Sequence, residues 1–357
     1  MKNLPEKQDS TQFDLFTSFY GDESKQSNTI ELWDSIPKFS CSARKQVALR
    51  DEVGRLPTLE RDFVYKRQGD TEAIPAKMRL VPARIKIDGT EKDFYPSADE
   101  ELIEEVLRKI FADQQYGRHY SKNDSPASYV DFTLRMIGKE LRAKGHSRSL
   151  EQIKRSLDIM NGCHLTLNFH GNTKRAAYKA PILPAIMEVS RAEYLSDPKA
   201  RWRVQLPLVY SHAINSLEFR QFNYATLMSM SSQLARWLHK LLSRRFTNAN
   251  ILNPYTIKYS SLKRDSGMLV HSRDGKNKQT VIKALEELRE QDVILMFKEG
   301  KSVNDASDPV YELTPTSTFV GEIKAANKRQ LDGENRLPAD KRPVSRIGKS
   351  VAEAKKV

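Results

Sequence analysis

The chain repeats itself once, and that repeat constrains the fold more than any other feature. Residues 276–297, KNKQTVIKALEELREQDVILMF, place Val281, Leu285 and Leu288 at i, i+4 and i+7, the core stripe of a helix. Val293, Leu295 and Phe297 then alternate as one face of a strand. An offset of 128 residues carries these six positions onto Ile153, Leu157, Met160, Leu165, Leu167 and Phe169, each apolar again and with no gap. The same offset carries Met230, Leu234 and Leu238 onto Leu102, Val106 and Ile110, the stripe of an earlier helix. The chain therefore reads as two copies of one small domain, each built as helix, short helix, helix and hairpin.

That order is the winged helix, in which the third helix enters the DNA major groove and the hairpin lies on the backbone beside it. The expected fold class is α+β, two tandem winged-helix domains with disordered N- and C-terminal tails. Opposite the core stripe lie Lys276, Gln279, Lys283, Glu286 and Glu290 in the second copy, and Arg148, Glu151, Arg155, Asp158 and Gly162 in the first. Cations recur at paired positions in the N-terminal half of each helix. The candidate DNA contacts are Lys276, Lys278, Gln279 and Lys283, with Lys263 and Arg264 from the middle helix and Lys301 from the wing. Their counterparts in the first copy are Arg148, Gln152 and Arg155, with Lys174 and Arg175 at the wing tip. A solvated charged face on a protein-binding winged helix is the competing explanation, and it predicts no salt-sensitive DNA binding.

Along the chain, residues 1–29 are polar and expected to be disordered, 30–205 form the first domain with its N-terminal extension, 206–320 the second, and 321–357 a disordered basic tail. Residues 78–87 read as one strand, with Asp88-Gly89 as a hairpin turn. Residues 126–144 read as the second helix, opened near Pro126 and closed by Gly145. The third helix starts at Ser149, with Gln152 in capping-box spacing. An aspartate, Asp99, caps the first helix, and residues 202–217 read as a strand and a short linker. The opening helix of the second copy is dense in Arg236, Lys240, Arg244 and Arg245.

The net charge of +13 points to a polyanionic partner. Cys41 and Cys163 form no CxxC pair, so neither a disulfide framework nor a zinc site is expected. The N-terminus lacks the apolar stretch of a signal peptide and no run of about 18 apolar residues occurs, which gives a cytoplasmic protein with no membrane partner. Catalysis and cofactors are not expected. Gly300-Lys301-Ser302 and Gly348-Lys349-Ser350 lack the first glycine of a phosphate loop, which is Leu295 in one case and Pro343 in the other. His164 and His170 do not share a strand face, and His119-Tyr120 reads as a surface pair in a polar loop.

One apolar cluster interrupts the N-terminal segment, Gln12-Phe13-Asp14-Leu15-Phe16. It looks like the pentapeptide by which bacterial proteins dock onto the replicative sliding clamp, with Phe13 where leucine is usual. Gln12 would fill a small polar pocket while Leu15 and Phe16 fill an apolar cleft. The alternative is an apolar staple folded back on the first domain.

Across about residues 30–320 the chain resembles the iteron-binding plasmid replication initiators, more narrowly the TrfA-like and RepA-like proteins of broad-host-range plasmids. Glu31-Leu32-Trp33, Ala98-Asp99-Glu100-Glu101-Leu102 and the block 148–169 carry the resemblance, together with the clamp-like pentapeptide. It implies a bacterial, plasmid-encoded protein that binds directly repeated sites in double-stranded DNA at a plasmid origin. It further implies opening of the adjacent AT-rich DNA, contact with the host sliding clamp, helicase and initiator proteins, and a monomer-dimer equilibrium. A tandem winged-helix transcriptional regulator is the alternative.

Overall fold

The computed structural model describes residues 11–66, 72–121, 126–170, 175–190, 192–193, 200–302 and 308–336. The first half opens with helix α1 (Thr11–Thr17), strand β1 (Gln26–Ile30) and the short helices α2 (Glu31–Ser35) and α3 (Ala43–Leu49). Four strands follow, β2 (Leu59–Tyr65), β3 (Ile74–Val81), β4 (Ala83–Ile87) and β5 (Thr90–Phe94). Pro82 divides β3 from β4, so the single strand expected over 78–87 is two strands in two different sheets. A proline has no N–H for the ladder, and the chain changes direction there. The β4–β5 hairpin turns through Asp88 and Gly89 at φ values of 49° and 79°, the left-handed pair of a tight two-residue turn.

Helix α4 (Ala98–Phe111) begins the first repeat. Its cap is Ser97 rather than Asp99: the Glu100 carboxylate accepts from the Ser97 backbone N–H at 2.7 Å. Strands β6 (Gly117–Tyr120) and β7 (Ala127–Phe132) come next, then helices α5 (Leu134–Ala143) and α6 (Leu150–Gly162). The helix expected over 126–144 thus begins as strand and becomes helix only from Leu134. Tyr129 and Phe132 sit on β7, and Thr133 caps the helix by accepting from the Met136 N–H. The hairpin β8 (His164–His170) and β9 (Arg175–Pro181) completes the repeat, with β8 pairing also to β3 in a sheet ordered β2-β3-β8-β9.

Strands β10 (Ala185–Met187) and β11 (Trp202–Gln205) join β7 and β6 in a second sheet. Residues 208–215, expected as strand and linker, form helix α7 (Leu208–Asn215), with Pro207 as its N-cap residue in an extended conformation, ψ 146°. Strand β12 (Phe219–Asn223) then returns to pair with β1, and helix α8 (Tyr224–Ser229) closes the first half. Residues 206–228 therefore pack into the first core, through Leu206, Tyr210, Ile214, Phe222 and Leu227. The second core runs from Met230 to Ile323.

The second repeat is α9 (Gln233–Arg245), β13 (Tyr255–Lys258), α10 (Tyr259–Ser266), α11 (Asp274–Glu290) and the hairpin β14 (Ile294–Lys301) with β15 (Pro309–Pro315). Its sheet, ordered β13-β15-β14, is that of a winged helix: the strand before the middle helix pairs with the returning strand of the wing. The first copy lacks this pairing, because β7 is taken by β6 and β11. Val281, Leu285 and Leu288 are fully buried, as are Ile153, Leu157 and Met160. The strand stripe holds in the first copy but breaks in the second. Leu295 is 57% exposed and Ile294 is buried instead, because the β14–β15 register slips between Ile294 and Met296. The irregularity turns Leu295 outward, while Val293 before it and Phe297 after it still pack on the second core.

Both terminal segments are more ordered than their composition suggested. The chain continues past the wing as helix α12 (Ser317–Arg336), whose Phe319 and Ile323 belong to the second core. Residues 1–10 and 337–357 lie outside the described residues.

Candidate nucleic-acid interface

The second helix-turn-helix is built around Asn277, which is fully buried in the first turn of α11. Its side chain accepts from the His271 N–H at 3.0 Å and donates to the His271 carbonyl at 2.9 Å, which pins the turn between α10 and α11. Gly267 ends α10 in the left-handed conformation, φ 64°. These two devices set the angle at which α11 leaves the core and presents its outer face.

On that face Lys276, Gln279 and Lys283 are exposed and form no ion pair or side-chain hydrogen bond among the described residues. Arg273, one turn earlier and also exposed, extends the same stripe. Sequence reasoning missed it because it precedes the helical pattern; the i−3 spacing to Lys276 is the signal that points to it. Lys278 leans inward and lies 5.9 Å from the centre of the Tyr259 ring. Glu286 and Glu290 occupy the later turns. The stripe is thus cationic at its N-terminal end and acidic at the other. Such a face suits entry into the major groove by the first turns of the helix.

The middle helix contributes differently from expectation. Lys263 reaches across to Asp274 at 2.8 Å, and Arg264 forms two hydrogen bonds to its neighbour Asp265 at 2.7 and 2.9 Å. Asp274 also accepts from the Tyr259 hydroxyl, and the Lys263 hydrogen bond leads the causes that hold its carboxyl down to about 2. Both cations are already partnered, so a phosphate would have to displace a carboxylate. Lys301, at the end of β14, is exposed beside a wing tip, 303–307, that lies outside the described residues.

The first copy presents a weaker surface. Arg148 donates to Asp99 at 2.5 Å and to the Ser147 carbonyl. The Gln152 amide oxygen is used in the capping box with Ser149. Lys154 is bound to Glu188 at 2.7 Å. Of the cations expected on this helix face, Arg155 alone has no ion-pair partner among the described residues. Lys174 and the Arg175 side chain lie outside the described residues. The two copies share a backbone pattern, but only the second carries an unpartnered cationic stripe among the described residues.

The N-terminal pentapeptide is not free. It forms most of α1, and Phe13, Leu15 and Phe16 are 3%, 7% and 2% exposed. The Phe16 ring packs on Phe111 and Phe219 at 5.4 and 4.9 Å between centroids. From α12, the buried Arg329 donates to the Leu15 and Phe16 carbonyls at 2.6 and 3.0 Å, filling acceptors that the end of a helix leaves open. Gln12 is half-buried. The apolar-staple alternative is what the fold displays, since composition does not reveal that a distant helix supplies the partner.

Other sequence candidates also resolve. His119 lies on β6, buried rather than on the surface, and its ring nitrogens bond Ser128 at 3.0 Å and Asn215 at 2.8 Å. Cys41 and Cys163 are free thiols in the first core. Among the described residues no group of three or more His, Cys, Asp or Glu side chains is disposed to hold a metal ion, and no helix is long and apolar enough to cross a membrane.

No family model matches the chain, and no curated protein matches it. Among solved structures it is similar to domain 2 and domain 3 of RctB, with a TM-score of 0.44 and 10% identity over 78% of this chain and 98% of that one. A second structure of RctB domains 2-3 gives a TM-score of 0.40 and 12% identity over 75% and 95% of the two chains. The Pi initiator protein in complex with iteron DNA gives 0.34 and 14% identity over 83% and 100%. At these values the reading of the α11 face rests on the chain's own residues.

Proposed function

We propose that this chain binds double-stranded DNA without catalysis, through the N-terminal turns of α11, and that it acts as a plasmid replication initiator on repeated origin sites. The observation that carries DNA binding is the unpartnered stripe Arg273, Lys276, Gln279 and Lys283 on the third helix of a winged helix, in a chain of net charge +13. Backbone phosphates supply most of the affinity in such complexes, and base edges in the major groove supply the selectivity. The initiator role rests on the resemblance of residues 30–320 to iteron-binding initiators. Origin opening, recruitment of host helicase, initiator proteins and sliding clamp, copy control, a monomer-dimer equilibrium and a cytoplasmic setting all belong to this proposal.

The test is a self-replication assay. The gene and its flanking DNA are placed on a fragment stripped of every other origin, and persistence of the circle in a bacterium is scored. Persistence that disappears with Lys283→Ala supports the initiator and the α11 face together. A circle that is lost although the protein binds flanking DNA selectively makes it a transcriptional regulator. The burial of Leu15 and Phe16 favours that second reading to this extent: the one feature separating the two is not displayed on the surface.

A further inference from the structure

The two halves meet across a buried seam of opposite charges. The first half contributes Glu31 and Asp34 from α2 and Glu101 and Glu105 from α4; the second contributes Arg236, Lys240, Arg244 and Arg245, all from α9. Arg236 donates to Glu101 at 2.8 Å and to the carbonyl of Met230 at 3.0 Å. Lys240 reaches both Asp34, at 2.5 Å, and Glu105. Asp34 is further held by Arg108 of α4 through two hydrogen bonds of 2.6 and 2.8 Å, and its carboxyl lies well below the usual range because those cations outweigh its burial. Beyond the seam, Asp265 of α10 accepts from the Val64 N–H of β2 at 3.1 Å. A side chain at Gly267 would come within 3.0 Å of Ser40. The helix that precedes the DNA-facing helix is therefore seated directly on the first half.

A buried ion pair differs from an apolar contact in what it tolerates. Apolar surfaces slide by small steps at little cost, whereas a buried charge moved off its partner is left uncompensated. The observed placement of α9 on α2 and α4 pairs Arg236, Lys240 and Asp34 together, and a slip along the seam would part them. Each base pair added between two half-sites shifts them by about 3.4 Å and rotates them by about 34°. A joint that cannot slide cannot follow that shift.

We propose that the seam is a spacing gauge: Arg236, Glu101, Lys240, Asp34 and Glu105 are positioning residues that fix the separation between the half-site read by α11 and a weaker contact made by α6 of the first half, where Arg155 has no ion-pair partner among the described residues. This rests on the DNA-binding reading above and deepens it.

The test uses the full chain. Binding sites are selected from a pool of random double-stranded DNA, and the recovered bipartite site is then remade with one or two base pairs inserted between its halves. The unmodified protein loses about tenfold or more in affinity on a single insertion, the scale of a damaged base contact. Two double variants replace a seam pair by apolar residues of similar size, which buried pairs commonly tolerate without unfolding: Arg236→Met with Glu101→Leu, and Lys240→Met with Glu105→Met. A third variant, Asp265→Leu, removes the acceptor that ties α10 to β2 and serves should either double variant fail to fold. In a folded variant the insertion penalty shrinks to about threefold or less while binding to the parental site remains salt-sensitive. A folded variant that keeps the full penalty, or an unmodified protein indifferent to insertion, overturns the gauge while leaving DNA binding intact. Recovery of no selected sequence at all overturns the DNA-binding reading, and the gauge with it.

Discussion

Replacing Phe16 by alanine measures whether the N-terminal pentapeptide is part of the fold. The ring is 2% exposed and lies among Phe13, Phe111 and Phe219, at centroid distances of 6.3, 5.4 and 4.9 Å. Truncating a fully buried phenylalanine costs about 3–5 kcal/mol through lost transfer energy and the cavity left behind. Here the loss has a ceiling. Helix α1 is only seven residues long, so once its docking energy is exhausted it detaches and the rest of the core stays folded. The Arg329 hydrogen bonds to the Leu15 and Phe16 carbonyls survive the substitution and favour retention. The expected destabilisation is therefore near the lower end, about 3 kcal/mol, with α1 opening before the rest. Denaturant titration gives the total, and amide hydrogen exchange across 11–17 gives the local opening. A change below about 0.5 kcal/mol, the scale of an ordinary surface substitution, with unchanged α1 protection, would refute the placement of this ring in the core.

The other predictions concern charge. Lys283→Ala lowers specific affinity and reduces the slope of log affinity against log salt by about one, as expected when one DNA phosphate is left without its cation; an unchanged slope removes Lys283 from the interface. Asp274→Ala frees Lys263 from its 2.8 Å partner, so non-specific affinity at low salt rises, read by titration against random duplex. His239 is fully buried with no hydrogen-bond partner for either ring nitrogen among the described residues, and burial pushes it down from 6.5 to about 3. Between those values the unfolded chain binds a proton that the folded chain rejects, so the stability held above pH 6.5 falls as the pH drops. Moving from pH 7.5 to 5 costs about 2 kcal/mol, and His239→Leu flattens that dependence in denaturant titrations at the two pH values. On the clamp-docking alternative, a peptide spanning 11–17 would bind sliding clamp more tightly than the full chain, which must first release α1 from Arg329; no binding by the peptide removes that alternative, and equal binding removes the latch.

The parts of the fold legible in the sequence are those decided by neighbours along the chain. Helices α6 and α11 end at Gly162 and Glu290, equivalent positions in the two repeats. The Ser149–Gln152 capping box and the Asp88-Gly89 turn appear where their local chemistry puts them. What escaped reading was decided at long range. Arg236, Lys240 and Arg244 recur every four residues on α9, a pattern indistinguishable from a solvated face, because their acidic partners lie 135 and more residues earlier. The pentapeptide carries its apolar residues equally well as a docking motif or as a staple; Arg329, more than 300 residues away, decides between them. On the candidate interface, the sequence places Lys263 and Arg148 among the DNA contacts, but not the carboxylates of Asp274 and Asp99 that already hold them.

The pairing of β1 with β12 has a bearing on how the protein is made. Gln26 aligns with Asn223, so β1 waits for a partner strand translated nearly two hundred residues later. Until then Ile30, Trp33 and Phe16, all core residues, have no completed core to enter. Domains normally fold in the order of synthesis. In this chain the core of the first half stays open until β12 has emerged, and sticky apolar surface is shown throughout that interval. Expression at lower temperature or with a chaperone that shields nascent chains should therefore raise the yield of soluble protein, more than it would for two domains joined end to end.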